Sequence, residues 1–330
     1  MRISPTISIL LVIVILLTTS CSSNIKLNSI PTLTSTSMPM PSPYLIELTP
    51  VIGTIKGDLR NQIRNLEHDM PRANSESYIV PLNKERMAFA ELVTALDIGD
   101  LVRAAQIAPQ NHYELLYYID CNDNQAVSYL LRENEPIQKG WGLYAIRVDS
   151  TSNSNIIIEA PHPLYDINTP SIALNIYRAL DAHALLIAGA HRNANSDGTA
   201  DVAHAPKSIF QSVHKALLED IQTISEDVII IQIHGFQSSD HPGYPQVVIG
   251  FGAKLPSTED TLTIKLRDAL TKQGITVGLC TGDVWQDLCG TKNVQATTSD
   301  GVVFVHIELD EKIRKSDKDL ITALVYVFGD

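Results

Sequence analysis

Histidine and acidic side chains stand at the ends of apolar segments in the second half of the chain. His162 and Asp166 follow the segment "NIIIEA", and His234 closes the segment "DVIIIQIHG". Two neutral imidazoles and one carboxylate form a ligand set that suits zinc and leaves a fourth position for water. The sequence therefore predicts one Zn²⁺ ion held by His162, Asp166 and His234.

Two further residues could complete the chemistry of metal-assisted hydrolysis. Glu308, in the segment "GVVFVHIEL", is a carboxylate outside the ligand set that could act as general base on the attacking water. Arg192 could stabilise the oxyanion that forms when a carbonyl is attacked. The alternative for Arg192 is a simple ion pair with Asp197 or Asp201 of the same loop.

Four residues are candidates for a supporting or substrate-binding role. His204 and Asp201 belong to the long polar loop "HRNANSDGTADVAH", and the alternative for both is a solvated loop position. His306 should share a strand face with Glu308, which it could orient. Tyr244, in the loop that follows "IIIQIHG", could line a substrate cleft, or could be an ordinary loop aromatic.

Apolar and amphipathic segments alternate after residue 155 in the manner of an α/β fold. The near-continuous Ile/Val runs indicate strands buried on both faces, and segments such as "PSIALNIYRALDA" and "SIFQSVHKALLEDI" have helical spacing. Earlier segments such as "YELLYYID" and "AVSYLLRE" indicate antiparallel strands. We expect a three-layer α/β domain with a mostly parallel or mixed sheet and helices on both faces. The carboxyl ends of its parallel strands should bring the candidate residues to one edge.

The order of these residues resembles that of a superfamily of zinc enzymes. A histidine followed shortly by an acid, an arginine, a histidine closing "IIIQIHG", and then "HIEL" is similar to zinc-dependent carboxypeptidases, N-formylglutamate amidohydrolases and poly-γ-glutamate hydrolases. The resemblance covers roughly residues 155–312 and implies a zinc-exopeptidase or phosphorylase/hydrolase-like fold. It implies zinc ligation by His162, Asp166 and His234, with Glu308 as base and Arg192 as a carboxylate or oxyanion contact. The chain has HxxxD where the carboxypeptidases have HxxE, and no second arginine marks a carboxylate pocket.

The first 55 residues are expected to export and tether the protein. Residues 1–21 have the charged start and apolar run of a signal peptide, and "TTSC" places Cys21 where a lipoprotein carries its lipid. The alternative is a plain secretory signal cut nearby. Residues 22–55 are rich in Ser, Thr and Pro, as tethers are, and residues 56–330 should form a single α/β catalytic domain. We therefore expect an extracytoplasmic protein anchored to the membrane by lipid.

Charge and cysteine content narrow the possibilities further. A net charge of −12 without clustered Lys and Arg disfavours nucleic acid as a partner, and we expect none. Cys280 and Cys289 bracket "TGDVWQDL", a loop that a disulfide could close and that would leave Cys121 unpaired. The alternative is that all three are free thiols. A zinc ribbon is excluded because the chain has no CxxC pair.

These observations favour a zinc-dependent amidohydrolase or peptidase whose substrate is a small peptide or acylated amino acid. An N-acyl amino acid, a γ-glutamyl polymer and a cell-wall peptide all fit. One alternative is an enzyme like N-acetylmuramoyl-L-alanine amidase, which requires a glutamate that "PSIALNIYRALDA" lacks. Others are a non-catalytic solute-binding lipoprotein, which usually has two comparable lobes, and a degenerate relative without metal.

Overall fold

The structure is a computed structural model that describes residues 52–148, 153–225, 227–252, 261–281, 284–299 and 301–329. The predicted signal peptide with Cys21, and the tether up to residue 51, lie outside the described residues. The strands are β1 (Gly53–Gly57), β2 (Tyr113–Asp120), β3 (Val127–Glu133), β4 (Leu143–Arg147), β5 (Asn153–Ala160), β6 (Ala182–Ile187), β7 (Ile229–Gly235), β8 (Val247–Gly250), β9 (Val277–Leu279) and β10 (Val303–Leu309).

The helices are α1 (Leu59–Asp69), α2 (Asn83–Asp97), α3 (Leu101–Gln110), α4 (Thr169–Ala179), α5 (Ile209–Gln222), α6 (Thr261–Lys272), α7 (Val294–Thr298), α8 (Glu311–Lys315) and α9 (Lys318–Phe328). Within the described residues, no helix combines the length and apolar character that crossing a bilayer requires.

All ten strands join one sheet in the order β1-β2-β3-β4-β6-β5-β7-β10-β8-β9. Its centre, β6-β5-β7-β10, is parallel. The pairs β2-β3, β3-β4, β4-β6 and β8-β10 are antiparallel. The sheet is therefore mixed, which confirms the expected fold class.

Helices cover both faces of the sheet because its central strands are apolar on both sides. Ile156 and Ile158 of β5 pack into a core with α1, α4, α6 and α9. Ile157, which points the other way, packs into a second core with α2, α3, α5 and α7. The three-layer arrangement thus follows from the unbroken Ile/Val runs.

Two strands carry too little pattern to be predicted from the sequence. β1 pairs in parallel with β2 and begins at Gly53, inside the range expected for the tether. β8 comprises only Val247–Gly250 and pairs antiparallel with β10. It separates the parallel centre from β9 at the sheet edge.

The cysteines differ in part from the expectation. Cys280 and Cys289 form a disulfide, as predicted, with their Cα atoms 5.7 Å apart. Both pack against Phe236 and Leu288 in a small third core. The expectation that Cys121 would be unpaired was wrong, since none of the described cysteines is a free thiol.

Candidate metal centre

The carboxyl ends of adjacent parallel strands position the candidate residues. His162 and Asp166 lie in the turn after β5, and His234 lies at the end of β7. Arg192 follows β6, and Glu308 belongs to β10. The topology therefore gathers at one edge the residues that the sequence places up to 146 positions apart.

The three predicted ligands converge. The ligand atoms of His162, Asp166 and His234 lie within 4.8 Å of one another, and all three side chains are buried. Asp166 Oδ2 is 3.3 Å from Nδ1 of His162 and 3.3 Å from Nδ1 of His234. Donors bound tetrahedrally to zinc are about 3.3 Å apart, because each lies about 2.0–2.2 Å from the ion. The donor types therefore fit a zinc ion, and Asp166 has the spacing of a tetrahedral ligand to each histidine.

Each imidazole uses its other nitrogen to contact a fixed acceptor. His162 Nε2 lies 2.8 Å from the carboxylate oxygen Oδ1 of Asp201. His234 Nε2 lies 2.9 Å from the amide oxygen Oε1 of Gln232. A proton on Nε2 satisfies these two acceptors and leaves the Nδ1 lone pair of each ring available to a metal ion, at the position where Asp166 Oδ2 lies 3.3 Å from Nδ1. Both histidines thus present Nδ1 towards Asp166.

Burial and charge set the protonation of this cluster. Burial, together with the neighbouring His306, lowers the pKa of His234 to about 3, so the ring is neutral as a metal ligand must be. Burial also lowers the pKa of His162, but contacts with Asp166 and Asp201 outweigh burial and leave it raised. Burial raises the pKa of Asp166, but the two imidazoles outweigh burial and hold this pKa well below its usual range.

Glu308 is close to the ligand set without belonging to it. It pairs with His234 in the register of β10 and β7 and is largely buried. Its Oε1 lies 3.3 Å from His306 Nε2, the contact expected for residues that share a strand face. Burial raises the pKa of Glu308 more than the contact with His306 lowers it.

Asp201 connects the loop after β6 to the metal centre. Its Oδ2 accepts from Arg192 Nη2 and lies 3.0 Å from His204 Nδ1, while its Oδ1 faces His162. Burial raises the pKa of Asp201, but these contacts outweigh burial and lower it strongly. Arg192 therefore forms the ion pair with Asp201 that was predicted as the alternative to a role in oxyanion stabilisation. Its Nη1 is nevertheless only 3.5 Å from His162 Nδ1, at the centre itself.

Tyr244 contacts acidic and aromatic side chains of neighbouring loops. Its hydroxyl donates to Asp287 Oδ1 at 2.9 Å. Its ring lies 5.0 Å from that of His241 and 4.6 Å from that of Trp285. The contacts described for Tyr244 thus place it beside the disulfide, and its role as a substrate contact stays a prediction.

Two buried amides at the centre were not identified from the sequence. Asn293 Nδ2 donates to Gln232 Oε1 at 2.5 Å and lies 3.4 Å from both His234 Nε2 and His306 Nδ1. Gln232 could have been noticed as a polar residue in an Ile run, on the same strand face as His234. Asn293 carries no such signal, because it lies in a short turn before α7.

No protein-family model and no curated protein matches the chain. Among solved structures it is similar to a bacteriophage poly-γ-glutamate hydrolase, with 14% identity and a TM-score of 0.38 over 56% of this chain and 87% of the other. It is similar to the N-formylglutamate amidohydrolase of Ralstonia eutropha JMP134, with 10% identity and a TM-score of 0.37 over 56% and 96%. It is also similar to a metallo-carboxypeptidase of Burkholderia cenocepacia, with 13% identity and a TM-score of 0.36 over 71% of this chain and 66% of the other. These names belong to the superfamily that the residue order resembles.

Proposed function

We propose that this protein is an extracytoplasmic zinc-dependent hydrolase that cleaves an amide bond in a small peptide or acylated amino acid. One observation carries the proposal: the donor atoms of His162, Asp166 and His234 lie within 4.8 Å of one another, and Glu308 stands in register with His234. This combines a three-residue ligand set with a carboxylate available for proton transfer.

Glu308 is the residue proposed to move the proton. Zinc, when bound, supplies Lewis acidity and makes water acidic enough to attack near neutral pH. Glu308 would accept the proton of the attacking water and later deliver it to the leaving nitrogen. Its raised pKa suits the first step, because a carboxylate with a higher pKa takes a proton from the attacking water more readily.

Arg192 is proposed to stabilise negative charge on the substrate. Its guanidinium is only partly buried, and it is held by Asp201 and by the ring of Tyr165, whose centroid lies 5.2 Å away. A cation fixed in this way meets a developing oxyanion, or a substrate carboxylate, without first having to reorganise.

A cavity is lined by residues close in sequence to the ligand-bearing segments, and none of the proposed ligands nor Glu308 lines it. Its volume is about 250 Å³, and it is formed by residues that follow Asp166, His234 and Glu308 in the chain. The lining residues are Ile167, Asn168, Gln237, Glu311, Arg314 and Lys315.

Export and anchoring form a separate part of the proposal. It rests on the apolar run of residues 1–21, the "TTSC" sequence and the Ser/Thr/Pro-rich segment 22–55. Lipid on Cys21 would hold the domain at the membrane surface, with the segment 22–55 as spacer. Metabolic labelling with a fatty acid tests this, since Cys21→Ala should abolish the label and release the protein.

Metal analysis combined with a substrate panel tests the enzymatic part. The purified protein should hold close to one equivalent of zinc and hydrolyse at least one class among N-acyl amino acids, γ-glutamyl peptides and muropeptides. Far less than one equivalent, with no turnover, would support the solute-binding or metal-free alternative. An amidase of the muramoyl type is disfavoured because α4 contains no glutamate.

A further inference from the structure

A row of buried polar side chains crosses three parallel strands beneath the metal centre. Glu159 of β5 is the register partner of Gln232 of β7, and Gln232 is the partner of His306 of β10. Glu159 and Gln232 are completely buried. Polar groups in such a core are retained only with partners of defined direction, so the hydrogen bonds of this row determine the orientation of each group.

Two acceptors determine how the Gln232 amide is oriented. Its Nε2 lies 2.9 Å from Glu159 Oε2 and 3.2 Å from Gln295 Oε1. The Gln295 amide is itself fixed, because its Nε2 donates to the backbone carbonyl of Val202 at 3.0 Å. With acceptors at both positions, the NH₂ group of Gln232 must face Glu159 and Gln295. Its oxygen must therefore face His234.

Glu159 Oε2 accepts from Gln232 whether the proton between Glu159 and His214 belongs to the acid or to the imidazole. Glu159 Oε1 lies 2.7 Å from Nδ1 of the buried His214, whose Nε2 lies 3.2 Å from Ser299 Oγ. If the shared proton belongs to His214, Glu159 is a carboxylate with two acceptor oxygens. If it belongs to Glu159 Oε1, Oε2 is the carbonyl oxygen and still accepts. The orientation of Gln232 is the same in both cases.

We propose that Gln232 is a positioning residue that keeps the ring proton of His234 on Nε2 and thereby presents the Nδ1 lone pair to the metal. This rests on the proposed function. A reversed amide would turn its NH₂ group towards His234 Nε2 and move the ring proton to Nδ1, where it would block coordination. Asp201 keeps the ring proton of His162 on Nε2 in the same way, and as a carboxylate it can only accept a hydrogen bond. A neutral amide can face either way, so Gln232 needs Glu159 and Gln295 to hold it.

The ring tautomer of His234 is the direct test and needs no metal. Long-range ¹H–¹⁵N spectra of protein labelled at histidine, assigned with His234→Gln, distinguish a proton on Nε2 from one on Nδ1. We expect the Nε2–H form in protein loaded with zinc. We expect it in metal-free protein as well, because Gln232 Oε1 lies 2.9 Å from Nε2, whereas the competing Asp166 Oδ2 lies 3.3 Å from Nδ1. A proton on Nδ1 in the metal-free wild type would overturn the inference.

Zinc affinity provides the second measurement, by competition with a chromophoric chelator. Gln232→Met keeps the volume but removes the acceptor, and we expect zinc to bind about 10–100-fold more weakly. The matched control is Gln62→Met, since Gln62 is also buried but accepts from Arg132 Nη1 at 2.7 Å. Zinc affinity in Gln62→Met should equal that of the wild type.

The outcomes separate the inference from the proposed function. If the wild type binds zinc and Gln232→Met binds it equally well, Gln232 does not position His234, while the hydrolase proposal stands. If the wild type does not bind zinc, the hydrolase proposal fails, and the tautomer spectrum still decides the role of Gln232. If Gln232→Met does not fold, the wild-type spectrum alone decides.

Discussion

Glu308 lies directly opposite His234 across the parallel strands β10 and β7. Neighbouring strands are about 4.8 Å apart, and paired side chains point to the same face of the sheet. The distance between the proposed base and a proposed metal ligand is therefore fixed by backbone register, without the help of a flexible loop. A site built on strands in this way is held more rigidly than one built on loops.

Replacing Glu308 by Gln should abolish turnover while leaving the metal in place. The amide has the same shape but cannot accept a proton, so we expect kcat to fall about 10²–10⁴-fold. Zinc content should stay near one equivalent, because Glu308 is outside the ligand set. Steady-state kinetics and elemental analysis of the same preparation check both points. Glu114→Gln, on the exposed side of β2, serves as control, and full activity in Glu308→Gln would remove Glu308 from the mechanism.

Replacing His234 by Ala should remove the metal. Two ligands remain, and a buried site with an incomplete ligand set binds zinc far more weakly. Chelator should lower the melting temperature of the wild type, because zinc stabilises the folded state by mass action, but it should not lower that of the variant. His241→Ala is the matched control, since His241 contacts Asp287 at 3.1 Å instead of the ligand set. A normal zinc content in His234→Ala would place the metal elsewhere.

Replacing Asp201 by Asn should weaken zinc binding and turnover together. Asp201 is the shared acceptor for His162, Arg192 and His204, and the amide offers only one oxygen and no charge. We expect about 10–100-fold weaker zinc binding, as for other groups that orient a ligand histidine. The control is Asp197→Asn, in the same loop, where the carboxylate bonds to Thr199 instead. Equal zinc affinities in the two variants would contradict the role given to Asp201.

Replacing Gly290 by Ala should disturb the proposed base through His306. A Cβ atom on Gly290 would lie 2.5 Å from His306 Nδ1, so the ring that contacts Glu308 would have to move. Gly274→Ala isolates the backbone effect, because Gly274 also has a positive φ, of 82°, but open space around its Cβ position. We expect the control to lose about 1–2 kcal/mol of stability. Its turnover should equal that of the wild type. Gly290→Ala should lose more stability and also kcat, as measured by urea unfolding and kinetics.

Removing the disulfide between Cys280 and Cys289 should destabilise the domain. Closing a loop of this length contributes about 2–3 kcal/mol by restricting the unfolded chain. The double variant Cys280→Ser/Cys289→Ser is better than a reductant, which would also act on Cys121. Urea unfolding of variant and wild type at equal zinc occupancy measures the difference, and a change below about 0.5 kcal/mol would contradict the prediction.

The layered fold and the ligand set could be predicted because their signals are local or repeated. Ile/Val runs mark buried strands wherever they occur, and the rule that parallel strands end at one edge brings His162, His234 and Glu308 together. The strand β8 was not predicted, because its Val-Val-Ile run is much shorter than those of the central strands. The contact of Asn293 with Gln232 joins residues that are 61 positions apart in the chain, and no local sequence pattern predicts it.

The polar row formed by Glu159, Gln232 and His306 also bears on how the chain folds. If β7 slipped by one residue against β5, all its side chains would change faces, and Glu159 would meet an isoleucine instead of Gln232. Uniformly aliphatic strands would tolerate such a slip more easily, since one isoleucine replaces another. A buried acid that loses a hydrogen-bond partner raises the free energy of the folded chain. The slipped register is therefore less stable than the native one. The residues that orient a ligand thus also select the correct alignment of the strands that carry it.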